Sequence, residues 1–410
     1  MPNVSVERIE KDLLTLSKFG FNEQDRGVYR QGFSDADMEA RRWLMDLFKD
    51  LEMEPRMDGA GNVIGRFGSA DKPCVMVGSH LDSVPAGGIF DGTLGVIAGV
   101  ECIRTIRESN IHLDYPVEIV ATSEEEGRFG GMLGAQALSG KVTLAWLENA
   151  KDAGGELLKD AMARHGFDYH DVLHARRDPD MVRAFLELHV EQGPVLEATH
   201  KSIGIVEGIS GVFKWFVRLI GKADHAGTAP MDMRSDAFLG LADFTHEIQR
   251  IIDEEGTDRS RITIGFVELK PGFPHTVPGE VDFTIVGRDL DADVMKALAN
   301  ACRRVLSSIA RKNGLMFEYE QMSWLEPKYC SSKVVDVIKN RAEGRGYSHM
   351  LMPSGAGHDA QFMTEITETG LIFVPSVNGV SHAPDEWTHW IDVERGANLL
   401  LDTLVDLATD

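Results

Sequence analysis

Five residues whose side chains suit divalent metals, His80, Asp91, Glu126, His189 and His382, are scattered over most of the chain, yet each stands where an apolar run ends or beside small, turn-forming residues. Any fold that uses them together must gather several strand ends and one distant loop in one place. An α/β sheet does this, because ligands bind beyond the carboxyl ends of its strands. The apolar runs at 74–77 and 117–121 are short and β-branched, as buried strands are, and a third run covers 184–190. Between the first two, a helix is expected from near Thr93 to about Arg107. Ser34 can cap an earlier helix in which Leu44, Leu47, Phe48 and Leu51 share one face.

From 211 to about 324 the pattern changes to strand 214–220, helix 235–253, strand 261–269, strand 280–288, helix 292–312 and strand 316–322. This βαββαβ order is that of a ferredoxin-like unit. The α/β pattern then resumes with a helix from Ser332, a run at 371–374 and a helix from Asp392. His382 belongs to the returning segment, so the ligands meet only if 211–324 is an inserted domain and 1–210 with 325–410 form a single catalytic α/β domain. A chain of 410 residues with 43% hydrophobic content exceeds what one core usually holds, which fits two domains.

The composition narrows the function classes. A net charge of −23 with no basic run repels nucleic acid and anionic membranes, leaving a small molecule as the expected partner. The apolar stretch at 93–100 is far short of a membrane span, and Glu7 and Glu10 stand where a signal peptide would be basic, so a cytoplasmic protein is expected. Cys74, Cys102, Cys302 and Cys330 form no CxxC pair, which argues for reduced core thiols over disulfides or a thiolate metal site.

A lone histidine at a strand end is as a rule structural. The surroundings of His80 favour a ligand instead: Asp82 two residues on can orient its ring, and a Pro-Gly-Gly loop leads to Asp91-Gly92. Asp91 can cap the helix that follows, at Gly92 or Thr93, or it can bridge two ions. Glu124-Glu125-Glu126-Gly127 can be a solvated charge run. It directly follows an apolar strand, however, and neighbouring carboxylates on extended backbone point to opposite sides. One can then hold metal while the next, reaching in through a twist at Gly127, serves as a general base with a raised pKa. His189, between Glu187 and Glu191, reads alone as a core histidine. His382 lies in a Gly- and Pro-marked loop, a favoured functional position. Gly355-Ala356-Gly357-His358-Asp359-Ala360 matches GxGxxA, but the next run ends in Pro375-Ser376 with no acidic residue, which excludes a dinucleotide site. Gly355 and Gly357 are better placed to bring backbone amides close to a substrate. No Gly-x-Ser-x-Gly elbow is present, so a serine triad lacks support.

Taken together, GSHLDSVPAGGIFDG (78–92), EEEGRFGG (124–131), ELHVEQGPVLE (187–197), DHAGTAPM (224–231), VPGEVDF (277–283), SGAGHDAQ (354–361) and PSVNGVSHAPDE (375–386) resemble the M20 metallopeptidase superfamily. The similarity covers nearly the whole chain. Histidine rather than glutamate at 189 points to the hydantoinase/carbamoylase branch of N-carbamoyl-L-amino acid hydrolases, β-ureidopropionases and allantoate amidohydrolases. The resemblance implies two divalent ions per subunit (Zn, Mn, Co or Ni), one held by Asp91, Glu126 and His382 and the other by His80, His189 and the same Asp91. It makes Glu125 the general base and the inserted domain a lid and homodimer interface. His225 would reach the partner's site to stabilise the oxyanion, while Gln192, His225, His275 and Arg288 would contact substrate. His275 stands where relatives usually carry Asn before x-x-Pro-Gly. The implied reaction is hydrolysis of an N-carbamoyl-L-amino acid to amino acid, ammonia and carbon dioxide, with allantoate hydrolysis as the alternative. A peptidase or deacylase and a metal-free binding protein with the same fold are the remaining rivals.

Overall fold

The computed structural model describes residues 2–409. The chain divides into two compact units, one that runs to Glu207 and resumes at Tyr329, and another spanning Gly208–Lys328.

Among the described residues the first unit carries a nine-stranded mixed sheet. Its middle is four parallel strands in the order Val117–Thr122, Cys74–His80, Val182–Val190 and Glu368–Val374. Antiparallel strands flank them, Val63–Phe67 on one side and Ile203–Ile209 on the other. Both faces of the middle strands are buried, which is why their sequences are continuous apolar runs. One face, with Val75, Val77, Val117, Ile119, Leu186, Leu188, Ile372 and Val374, shares a core with helices Val6–Leu16, Asp35–Asp50, Thr93–Glu108, Ser332–Gly344 and Trp390–Leu407. Each such side chain contributes about 1.5–3 kcal/mol relative to exposure. Because the four strands run parallel, the segments after residues 80, 122, 190 and 374 all leave from the same end of the sheet. That end receives every expected metal ligand.

Ser34 caps Asp35–Asp50, its hydroxyl accepting the Asp37 N–H at 3.2 Å. The helix expected over 93–107 spans Thr93–Glu108. Several elements carry too little pattern to be read from sequence: the edge strand Glu54–Met57 has no buried residue, and Leu133–Ser139, Leu144–Asn149 and Leu158–Arg164 span two turns or less. The four cysteines are free and buried. Among the described residues no helix is long and apolar enough to cross a membrane.

The second unit is an antiparallel sheet in the order Val267–Lys270, Glu280–Asp289, Gly211–Ile220, Met316–Leu325, with Arg261–Thr263 also paired to Glu280–Asp289. Strict alternation puts Phe213, Trp215, Val217 and Leu219 on the face that packs with helices Ala237–Glu255 and Ala292–Lys312. Asp236 and Asp291 cap those helices. The single strand expected over 261–269 is two strands, and Gly265 lies in the break between them, as glycine often does where a ladder is interrupted.

Candidate metal centre

His80 ends one parallel strand and His189 lies one residue from the end of the next. The Nδ1 of His80 is 2.9 Å from the Asp82 carbonyl, and that of His189 is 2.8 Å from the Val190 carbonyl. A carbonyl only accepts, so Nδ1 carries the proton in each ring and Nε2 keeps a lone pair. Both Nε2 atoms face Asp91 Oδ1, at 3.3 Å from His80 and 3.1 Å from His189. Asp91 does not cap the following helix: the N-cap is Gly92, without a side-chain bond, and the Asp91 carboxylate turns to the imidazoles instead. Gly92 has φ +67°, and a Cβ there would fall 2.5 Å from the His80 ring, so no other residue fits the strand-to-helix turn.

The opposite oxygen of Asp91 faces loop residues. His382 Nε2 is 3.4 Å from Asp91 Oδ2 and 3.4 Å from Glu126 Oε2. Glu125 Oε2 lies 3.7 Å from His80 Nε2. The three glutamates separate through a bend, not through an extended alternation: Glu124 has φ +53° and Gly127 φ +86°. Glu124 turns back and accepts the backbone N–H groups of Phe129 and Gly131, fixing the loop from which Glu125 and Glu126 project. Asp82 also differs from expectation. Its carbonyl orients His80, whereas its carboxylate, 3.9 Å from His80 Nδ1, accepts the N–H groups of Glu125 and Glu126, each at 3.1 Å.

Burial pushes the Glu125 carboxyl well above the usual range against the pull of His80, with repulsion from Glu126, Asp359 and Asp82 adding to the rise. Burial and Asp91 push Glu126 up to about 7. Burial opposes ionisation of Asp91 too, yet the neighbouring imidazoles of His189, His382 and His80 hold it well below the usual range. His382 is raised to about 9, chiefly by its bond to Asp91. Cations held here would relieve the crowding of these buried carboxyls.

The donor set fits metal. Two groups, His80–Asp91–His189 and Asp91–Glu126–His382, have ligand atoms within 4.8 Å of one another and share Asp91. Glu126 Oε1 is buried and, among the described residues, receives no hydrogen bond. Nitrogen and oxygen donors of this kind suit first-row divalent ions. The comparisons with known proteins agree: the model of peptidase family M20/M25/M40 matches residues 76–406. The chain belongs to that family.

Among family members, the N-carbamoyl-L-amino-acid amidohydrolase of Paenarthrobacter aurescens is 36% identical over 98% of both chains. The allantoate amidohydrolase of Escherichia coli K12 is 33% identical, again over 98% of both. A solved hydantoinase/carbamoylase-family amidase from Burkholderia multivorans superposes with a TM-score of 0.92 at 32% identity, covering 100% of this chain and 99% of that one.

Within this M20/M25/M40 chain, Gln192 joins the centre directly, donating to Asp91 Oδ2 at 2.8 Å and lying 3.3 Å from His382 Nε2. Gly355 and Gly357 lie in the turn before helix Asp359–Met363, next to His358, whose ring centroid is 4.6 Å from that of His189. His225, His275 and Arg288 stand in the second unit. His225 pairs with Thr276 in a two-stranded ribbon and His275 directly precedes it, the Ala226 N–H donating to the His275 carbonyl at 2.9 Å. Arg288 ends no strand but precedes Asp289, half-buried opposite Val212 and Arg261, and burial lowers its pKa.

Other buried acids escaped the sequence reading. Glu187 accepts the Ser79 hydroxyl at 2.6 Å and the Ala360 N–H at 2.9 Å, and Asp359 accepts the Thr122 hydroxyl at 2.6 Å. An acid within an apolar strand, as in Phe185-Leu186-Glu187-Leu188, was the available signal.

Proposed function

We propose that the chain is a dinuclear metal-dependent amidohydrolase that cleaves the ureido C–N bond of N-carbamoyl-L-amino acids. The observation that carries this is Asp91, whose two oxygens face separate imidazole and carboxylate groups while Glu125 stands beside them with a raised pKa. His80, His189 and Asp91 would hold one divalent ion, and Asp91, Glu126 and His382 the other; zinc, manganese, cobalt and nickel all suit the donors. When bound, the ions would supply Lewis acidity that polarises the ureido carbonyl and acidifies the attacking water. Glu125 takes a proton as water adds to the ureido carbon, then returns it to the leaving nitrogen as the C–N bond breaks. The amino acid leaves, and the carbamate half falls apart to ammonia and carbon dioxide.

The same proposal gives the second unit the role of a ferredoxin-like lid and homodimer interface. Its strand order, with helices on one face, supports a split βαβ unit. His225 would stabilise the oxyanion of the partner's site, Arg288 would clamp the α-carboxylate, and Gln192, His275 and the backbone at Gly355 and Gly357 would complete the substrate contacts. Allantoate is the second reading, favoured by the 33% identity to the Escherichia coli enzyme and by its ureido group close to a carboxylate.

Ammonia release over N-carbamoyl amino acids, ureidopropionate and allantoate, with metal content measured alongside, tests this. N-carbamoyl amino acids should turn over fastest; dominant allantoate turnover would move the assignment to the second reading, and a metal-free protein without turnover would make it a binding protein. Arg288→Lys should lower kcat/KM for carboxylated substrates by about 1.5–3 kcal/mol, because ammonium cannot form the planar fork. Equal turnover of a substrate and its carboxamide would remove the clamp.

A further inference from the structure

Glu386 is not among the metal ligands, yet it joins the two segments that supply them. It lies four residues past His382 and is 2% exposed. Its Oε1 accepts the backbone N–H of Asp91 at 3.0 Å and of Phe90 at 3.3 Å. Its Oε2 accepts the Ser381 hydroxyl at 2.9 Å, and that hydroxyl oxygen is 3.3 Å from Asp91 Oδ2. One carboxylate thereby ties the backbone of the bridging ligand to the residue preceding His382, across a sequence separation of 295 residues. The site is built for it: a Cβ on Gly88 would fall 2.5 Å from Glu386 Oε1, so the glycine leaves room for the carboxylate against the loop. Phe90 packs on Trp387 and Trp390, with ring centroids 5.2 and 5.4 Å away, and supports the same seam from its apolar side.

His382 needs such a tie. It takes a left-handed backbone, φ +55°, and its side chain is 50% exposed, so local packing does little to hold it. His80 and His189, fixed by strand register and backbone carbonyls, have no such need. We propose that Glu386 is a positioning residue that sets the Asp91–His382 spacing and with it the affinity of the metal position framed by Asp91, Glu126 and His382. This rests on the dinuclear assignment.

Three variants separate bonding from bulk. Glu386→Gln keeps an acceptor for the two N–H groups and a polar group for Ser381. Glu386→Leu keeps most of the volume but no acceptor. Ser381→Ala removes one link and leaves the carboxylate. Zinc titration of the metal-free full-length proteins by calorimetry, with cobalt substitution followed by absorption, reads the two positions without reference to turnover. Wild type should bind two ions. Glu386→Leu should bind one normally and the other roughly 10–100-fold more weakly, the usual cost of losing a group that orients metal ligands. Glu386→Gln should restore most of the loss. Unchanged affinities at both positions in a Glu386→Leu protein that unfolds at the wild-type temperature when metal-free would overturn the proposal, as would Gln no better than Leu. If Glu386→Leu fails to fold, Ser381→Ala decides: several-fold weakening of one position supports the proposal and two unchanged affinities reject it. A single ion in the wild type would remove the dinuclear assignment and this proposal with it, whereas two ions with a silent Glu386 would remove this proposal alone.

Discussion

The two sides of the centre are built differently. His80 and His189 stand at the ends of adjacent parallel strands, 2% and 1% exposed, each ring locked by a backbone carbonyl. Glu126 and His382 project from loops, and the His382 side chain is 50% exposed. One side inherits its geometry from sheet register. The other depends on side-chain bonds made by Asp82, Glu124, Gln192 and Glu386. If this difference is physical, the strand side should bind metal tightly and tolerate little change, and the loop side should be the weaker and more adjustable one.

The largest effect is expected from His189→Ala. This ring faces Asp91, accepts the Gly92 N–H at 3.1 Å and packs against His358, so its loss should empty the strand side and bring ammonia release to background. Next comes Glu125→Gln, which should keep both ions and lower kcat by roughly 10²- to 10⁴-fold, the usual range for a general base. Metal analysis checks the first clause and steady-state assays the second; an emptied centre would show Glu125 to be a ligand. His382→Ala should lose only the loop-side ion, with partial recovery of activity in excess metal. Loss of the strand-side ion in His382→Ala, with His189→Ala still holding two, would reverse the comparison.

The contrast also explains what was legible in the sequence. Strand ends are marked by apolar runs, so the positions of His80 and His189, and the parallel sheet that aligns them, were legible in the apolar pattern, although His189 alone read as a core histidine. The insertion followed from needing His382 back in the same domain. Capping residues were legible where chemistry and position coincide, as at Ser34. What could not be read was which atom of a residue does the work. Asp82 serves His80 through its carbonyl and the glutamate loop through its carboxylate, and Glu124 bends backward because its backbone is left-handed. Glu386 carries no signal of its own in the sequence, since its partners Phe90 and Asp91 are remote from it there. Side-chain bonds over such separations leave no local periodicity. For the same reason the second unit was legible as a pattern of strands and helices, while the substrate roles of His225, His275 and Arg288 came from resemblance.

The smallest expected effect tests that division of labour within one residue. Asp82→Asn keeps the carbonyl that orients His80 but leaves one oxygen to accept two N–H groups, since the amide nitrogen cannot accept. The N–H of Glu125 or of Glu126 then stays buried without a partner, costing about 1–3 kcal/mol. The metal-free protein should therefore unfold at a lower temperature, and the loop-side ion should bind more weakly while the strand-side ion is unchanged. The lost negative charge also relieves repulsion on Glu125, whose pKa is raised in part by Asp82. A general base works ionised, so activity falls as pH drops through its pKa; a lower pKa moves that acidic limb of the kcat profile to lower pH. Weakened binding on the strand side, or a limb moved to higher pH, would mean that the Asp82 carboxylate acts through His80 after all and that the two sides are not separately built.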